Sequence, residues 1–282
     1  MTARRIDAHE HVWDLGVRDQ PWIAGELSPL RRSFAVGDIA DERAAAAIDG
    51  VVLVQTIAVA EETRELLALA LAEPLVVGVV GWVDLTVADV AARLEALRAG
   101  PGGERLVAIR HQVQGERDPR WLSRPDVRRG LRAVADAGLA YDLLTLPHQL
   151  PAARETAAAL PELRFVVDHL SKPRIAAGEL EPWATDMRAL AALPNVSCKL
   201  SGMVTEADWS SWTVDSLRPY ADTVLDAFGA DRVLFGSDWP VCTLAARFAD
   251  VVDAAEQLTA ELTSAEREAV FAGAARAAYR LP

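Results

Sequence analysis

The sequence predicts an α/β protein, a (β/α)8 TIM barrel formed as a single domain over residues 1–282. Three observations point there. Short apolar runs alternate with amphipathic, Ala-rich segments from one end of the chain to the other, and unbroken βα alternation implies a parallel sheet. The runs are apolar throughout rather than at every second position, as expected for parallel strands covered on both faces. Eight such units fit the roughly 250 residues typical of a closed barrel. Length alone suits one large domain or two small ones, and the unbroken alternation decides for one. An open doubly wound sheet would carry a Gly-rich turn after its first strand, and none is present.

The elements follow in order. A strand-like start at 5–9 precedes a Pro- and Trp-containing loop, 13–32. A helix is predicted over 38–48 with Asp38 as N-cap, ended by Gly50 before the strand 51–55. Then come helix 61–71, strand 75–82, helix 87–98 and strand 106–111. Helix 125–137 stops at Gly138, and strand 139–144, helix 149–160, strand 163–169, helix 180–193 and strand 195–200 continue the scheme. Helix 212–228 contains Pro219, which is expected to kink or divide it. The last strand, 232–235, is followed by helices 244–259 and 264–279, the second capped by Ser264 without a full capping box.

Composition narrows the partners. The formal net charge of −12 argues against nucleic acid or an anionic membrane and leaves a small-molecule substrate as the expected partner. Cys198 and Cys242 are far apart and read as buried, reduced thiols. The start of the chain has no apolar leader segment, and no uncharged run approaches the ~18–20 residues needed to cross a bilayer. A cytoplasmic protein is expected, with homo-oligomerisation open.

In a barrel, residues at the C-terminal ends of the strands face one mouth. The first strand supplies Asp7, His9 and His11, which at two-residue spacing share a side while Ala8 and Glu10 face away. The third supplies Trp82, and the fourth Arg110, His111 and Gln114. The sixth supplies Asp168, His169 and, just beyond, Lys172. The seventh supplies Lys199 and Ser201. In the eighth, Val233-Leu234-Phe235-Gly236-Ser237-Asp238-Trp239-Pro240, an apolar run ends at a glycine and Pro240 stops strand pairing, so Asp238 sits just past the tip. Any one of these residues alone reads as a structural group or a turn residue. Histidines on strands one, four and six with an acid on strand eight form a set.

That set has two uses. His9, His11, His169 and Asp238 suit one Zn²⁺-like divalent ion with an open position for water. The same residues also work metal-free, with Asp238 as base for water and His or Lys polarising a carbonyl. Both uses are hydrolytic, and no G-x-S-x-G elbow or nucleophilic Cys site is evident.

The chain resembles the amidohydrolase superfamily, and within it the amidohydrolase-2 group of sugar-lactone and 2-pyrone-4,6-dicarboxylate lactonases. The resemblance covers nearly the whole chain. It rests on the runs Ile6-Asp7-Ala8-His9-Glu10-His11-Val12-Trp13, Ile109-Arg110-His111, Asp168-His169-Leu170-Ser171-Lys172-Pro173, Cys198-Lys199-Leu200-Ser201-Gly202 and Phe235-Gly236-Ser237-Asp238-Trp239-Pro240-Val241. It implies a hydrolase that opens a cyclic ester, with Asp238 activating water. His9, His11 and His169 would bind one ion with Asp238 or contact the substrate. His111, Arg110 and Lys172 would bind substrate. Two-metal members carry a carboxylated Lys or a Glu near strand four; Arg110-His111-Gln112 offers neither, so two ions are not expected. Trp82 and Trp239, with Trp13 and Trp22, lie near the predicted mouth and could pack on a sugar ring. Arg110 is the one convincingly placed arginine there, which favours a neutral sugar lactone over a dicarboxylate. Two alternatives stand beside the lactonase. A decarboxylase of the same superfamily would require tightly held metal. A non-catalytic metabolite-binding barrel would bind ligand without forming product.

Overall fold

Eight parallel strands hydrogen-bond in the order in which they occur in the chain: β1 (Arg5–Glu10), β2 (Ile48–Val54), β3 (Val76–Gly81), β4 (Leu106–His111), β5 (Ala140–Leu143), β6 (Arg164–Val167), β7 (Val196–Leu200) and β8 (Val233–Phe235). This computed structural model describes residues 5–281, so the charged segment 1–4 lies outside the described residues. The ring closes just beyond the last strand. Asp238 N–H donates to His9 O (2.9 Å) and His11 N–H to Trp239 O (2.7 Å), and Glu10 bridges Trp239 in parallel.

Two apolar layers hold the barrel. The larger lies between the strands and the surrounding helices α1 (Ala40–Ala45), α2 (Ala60–Ala72), α3 (Val90–Ala99), α4 (Pro125–Asp136), α5 (Leu150–Ala159), α6 (Trp183–Ala191), α7 (Met203–Glu206), α8 (Val214–Phe228) and α9 (Phe248–Leu258). The smaller fills the barrel itself. Ala8, Val52, Val54, Val80, Ala108, Ala140, Val166 and Leu234 meet Ala274, Ala275, Ala278 and Tyr279 there. Those last four come from the final helical stretch, α10 (Ser264–Glu268), a π-turn over Ala269–Gly273 and α11 (Ala274–Tyr279). The interior is thus packed at one end and polar at the other. Among the described residues no helix is long and apolar enough to cross a membrane.

The structure differs from expectation at several boundaries. β2 begins at Ile48, so Gly50 lies inside the strand rather than ending a helix. α8 runs unbroken through Pro219. That proline sits early in the helix, and the chain continues past the one backbone bond it cannot donate. The last helix is capped by Thr263, whose hydroxyl accepts from Glu266 N–H while the Glu266 carboxylate accepts from Thr263, a complete capping box one residue before the expected start. In β1 the pairing register shifts between Asp7 and Glu10. Ala8 therefore packs into the barrel interior. Asp7 turns to the β8 edge and does not share the side of His9 and His11.

Candidate active site

His9 stands at the centre of the polar end of the barrel. β1 delivers it into contact with residues from four other strands or their C-terminal loops. Its Nε2 lies 3.1 Å from His11 Nε2 and 3.8 Å from Asp238 Oδ1. Its Nδ1 lies 3.1 Å from Lys199 Nζ and 3.4 Å from Asp168 Oδ1. His11 is oriented from behind, its Nδ1 2.7 Å from the Val54 carbonyl, and its Nε2 lies 3.4 Å from Asp238 Oδ1. His169 Nε2 lies 3.8 Å from the same carboxylate oxygen, and Ser201 Oγ fixes its ring at Nδ1 (2.9 Å).

Local backbone geometry makes this convergence possible. After β6 the residues His169, Leu170, Ser171 and Lys172 all have φ between 51° and 59°, a turn of left-handed chain that costs about 1–2 kcal/mol per non-glycine residue. Its surroundings hold it: Trp183 Nε1 donates to Leu170 O (2.7 Å), and Thr145 and Ser171 share a hydroxyl bond of 2.7 Å. Asp238 also has a left-handed φ of 58°. Two glycines clear space for the imidazoles. A Cβ on Gly236 would come within 2.8 Å of His9 Cβ, and one on Gly202 within 2.6 Å of His169 Nδ1.

Above these residues opens a cavity of about 430 Å³, in the range of small-molecule sites. His11, His169, Asp238 and Arg110 form its floor. Its lining mixes apolar side chains (Trp22, Leu27, Trp209, Val241, Leu244) with polar ones (Gln112, Gln114, Lys172, Glu206). Lys172 is paired with Glu206 at 3.3 Å.

An amidohydrolase family model matches residues 6–281. The chain belongs to the amidohydrolase family. Its relatives include an L-fucono-1,5-lactonase of Burkholderia multivorans, 38% identical over 100% of this chain and 98% of that protein. A second L-fucono-1,5-lactonase, from Burkholderia ambifaria, is 41% identical over 87% of this chain and 83% of its own. Among solved structures, an amidohydrolase from Burkholderia multivorans with bound zinc superposes with a TM-score of 0.93 at 37% identity, covering 99% of this chain and 100% of that one. These relatives bear out the expectation of an ester-opening hydrolase of the sugar-lactone kind.

In this amidohydrolase the protonation states suit both uses of the site. Burial would raise the Asp238 carboxyl, but the imidazoles of His169, His11 and His9 outweigh it and hold the group below the usual carboxylate range, hence ionised. Burial pushes His169 down to about 4. Burial, then the Lys199 charge, also lowers His9 well below an ordinary histidine. Both rings are therefore neutral at neutral pH. Neutral imidazoles and an ionised carboxylate are the forms that ligate metal. Their spacing also fits. A tetrahedral ion with bonds of about 2.0–2.1 Å separates its donors by roughly 3.3 Å, and His9, His11 and Asp238 stand 3.1, 3.4 and 3.8 Å apart.

The remaining expected site residues divide. Lys172 and Arg110 reach the cavity, but the Arg110 guanidinium is largely engaged, donating to Asp168 Oδ2 (2.9 Å) and to the Gln55 carbonyl and side chain. Its first role is to hold Asp168. His111, Trp82 and Trp239 do not line the cavity. His111 stacks on Trp121 (4.3 Å, 9°), accepts from Trp82 Nε1 (3.1 Å) and meets Glu116 (2.8 Å). It closes the strand's last alternation on the side away from the mouth and takes Trp82 with it. Trp239 is buried edge-on against Phe34, with the Arg43 guanidinium over its ring, because the left-handed Asp238 turns the following side chain outward. Sequence reasoning missed Trp209 and Glu206, which follow β7 on a short helix and loop. Their signal was weak: a tryptophan in a polar stretch with no periodicity.

Proposed function

We propose that this protein hydrolyses a sugar 1,5-lactone, with Asp238 as the base that activates water. The observation that carries the reading is Asp238 itself, an ionised carboxylate in a cavity lined by both apolar and hydrogen-bonding side chains. A lactone ring would lay its C–H face on Trp22 and Trp209 and offer its hydroxyls to Gln112, Gln114 and the Lys172–Glu206 pair. The names of the two lactonase relatives point to a fuconolactone-type ring as substrate.

The reaction balances on these groups. Asp238 takes a proton from water as its oxygen bonds to the lactone carbonyl carbon. His169, with Ser201 donating to its Nδ1, presents Nε2–H to the carbonyl oxygen and takes up the developing negative charge. The ring C–O bond then breaks, and the proton held by Asp238 passes to the departing ring oxygen. The product is an open-chain hydroxy acid. A divalent cation, if present, would be held by His9, His11 and Asp238 and would supply Lewis-acid polarisation of the carbonyl.

The test is acid release, followed with a pH indicator, on a panel of γ- and δ-sugar lactones. The wild type is expected to turn over a 1,5-lactone. Asp238→Asn is expected to lose about 10²–10⁴-fold in kcat, the usual contribution of a positioned base. An untouched panel would reject the substrate class, and a fully active Asp238→Asn would reject the assigned base.

A further inference from the structure

Lys199 is fully buried at the end of β7, outside the set of groups that the hydrolysis uses. It donates to Asp142 Oδ2 (2.7 Å) and to His9 Nδ1 (3.1 Å) and pairs with Asp168 Oδ1 (2.8 Å). Two N–H bonds of the ammonium are thus directed at Asp142 and His9, while Asp168 Oδ1 meets its charge without a hydrogen bond. Tyr279 O–H also donates to Asp142 Oδ2 (2.7 Å), which fixes that carboxylate from below.

This arrangement decides where the proton of the neutral His9 ring sits. An ammonium has donors and no acceptor, so the His9 Nδ1 that faces it must be the acceptor, and the proton must lie on Nε2. The other side of the ring is compatible with the same answer. His11 Nδ1 lies 2.7 Å from the Val54 carbonyl, which can only accept, so Nδ1 carries a proton, and in the singly protonated ring Nε2 turns a lone pair toward His9. At 3.1 Å that lone pair needs a proton on His9 Nε2; two lone pairs at this distance would repel. The contacts that would favour the opposite arrangement are longer. Arg110 Nη1, which gives one N–H to Asp168, is 3.4 Å from His9 Nε2, Asp168 Oδ1 is 3.4 Å from His9 Nδ1, and Asp238 Oδ1 is 3.4 Å from His11 Nε2.

We propose that Lys199 is a positioning residue that fixes His9 as its Nε2–H tautomer and thereby weakens cation binding at the site formed by His9, His11 and Asp238. To ligate through Nε2, His9 must give that proton up to solvent or move it to Nδ1, where the Lys199 ammonium points. In its place the chain Lys199→His9→His11→Val54 carbonyl links the four groups by hydrogen bonds all running in one direction, and a fixed cationic charge lies one ring away from where a metal would bring its own.

Two measurements test this, and neither uses turnover, so failure of the lactonase reading would leave them unaffected. The first is long-range ¹H–¹⁵N correlation on metal-free, ¹⁵N-labelled wild-type protein, with His9 assigned by the loss of its signals in His9→Gln. The chain has 5 histidines, so the spectrum is tractable. The expected pattern is a neutral ring protonated at Nε2; an Nδ1–H pattern overturns the proposal. The second is zinc affinity by competition with a chromophoric chelator. Lys199→Met, or Lys199→Met with Asp142→Asn to keep the buried charges balanced, is expected to bind zinc about 10–100-fold more tightly, the usual scale for a group behind a metal ligand. An unchanged or weaker affinity in a folded variant overturns it. If neither variant folds, the wild-type spectrum decides.

Discussion

Asp238 and the aromatic residues above it divide the work that individual side chains do. Trp22 and Trp209 line the cavity, whereas Trp82 and Trp239 are committed elsewhere. Truncating either lining ring, Trp22→Ala or Trp209→Ala, is expected to raise KM roughly tenfold, equivalent to about 1.4 kcal/mol, with a smaller change in kcat, read from initial rates on the best lactone. His111→Ala should behave in the opposite way. Its ring is stacked on Trp121 and bonded on both nitrogens, so the loss falls on stability, about 1–3 kcal/mol in a denaturant titration, while KM stays within roughly twofold. The contrast also shows what was readable in the residues themselves. His9, His11, His169 and Asp238 were legible because each ends a strand, and strand ends in a parallel barrel converge whatever the loops do. His111 and Trp82 also end strands, but whether a terminal residue points into the mouth or away depends on the register at that strand's last pair. Composition does not carry that. Trp209 sits on a loop whose path is set by packing, so nothing local marked it.

At the scale of the element, the left-handed turn after β6 and the closure of β8 on β1 do most to build the site. Four non-glycine residues in the left-handed region form a strained segment, and strain of this kind persists where surrounding structure over-determines it. Gly202 lies against that turn with a left-handed φ of 64° of its own. Gly202→Ala is therefore expected to push on the His169 ring. Displacement of a reacting group by about 1 Å can cost 10²-fold, so a loss of that order in kcat with a near-native circular dichroism spectrum is the outcome to look for. An unchanged kcat would mean that His169 has room to move. Neither the turn nor the bulge in β1 was visible in advance. The two-residue spacing of Asp7, His9 and His11 suggested one shared face, and the register shift took Asp7 out of it. Alternation is a property of regular pairing, and the pairing is irregular where the chemistry sits. The helices tell the same story more mildly. α8 passes through Pro219, its sixth residue, and continues without the one backbone bond that proline cannot donate.

For the molecule as a whole, the barrel has an apolar end sealed by α11 and a polar end carrying the site, and Tyr279 spans the two by donating to Asp142. Tyr279→Phe keeps the ring and removes only that donor, leaving Asp142 Oδ2 with Lys199 as its remaining partner. The expected cost is about 0.5–1.5 kcal/mol, measured as a shift in the midpoint of urea unfolding. The overall architecture was the most legible level of all. Eight apolar runs separated by helical segments admit few arrangements, and parallel pairing in chain order is the simplest.

The seam between β8 and β1 carries a consequence for how the protein comes into being. Ser237 N–H bonds to Asp7 across a separation of 230 residues, and the Asp238 and His11 amides donate to the His9 and Trp239 carbonyls across the same seam. A growing chain therefore holds its first strand, with His9 on it and His11 just after it, for nearly the whole of synthesis before the strand that closes on it exists. Until then one edge of β1 is unpaired and Asp238 is missing from beside the histidines. Contacts this distant in sequence form late and slowly, and unpaired edges are where partly folded chains stick to one another. The same few hydrogen bonds that finish the fold bring Asp238 to His9 and His11.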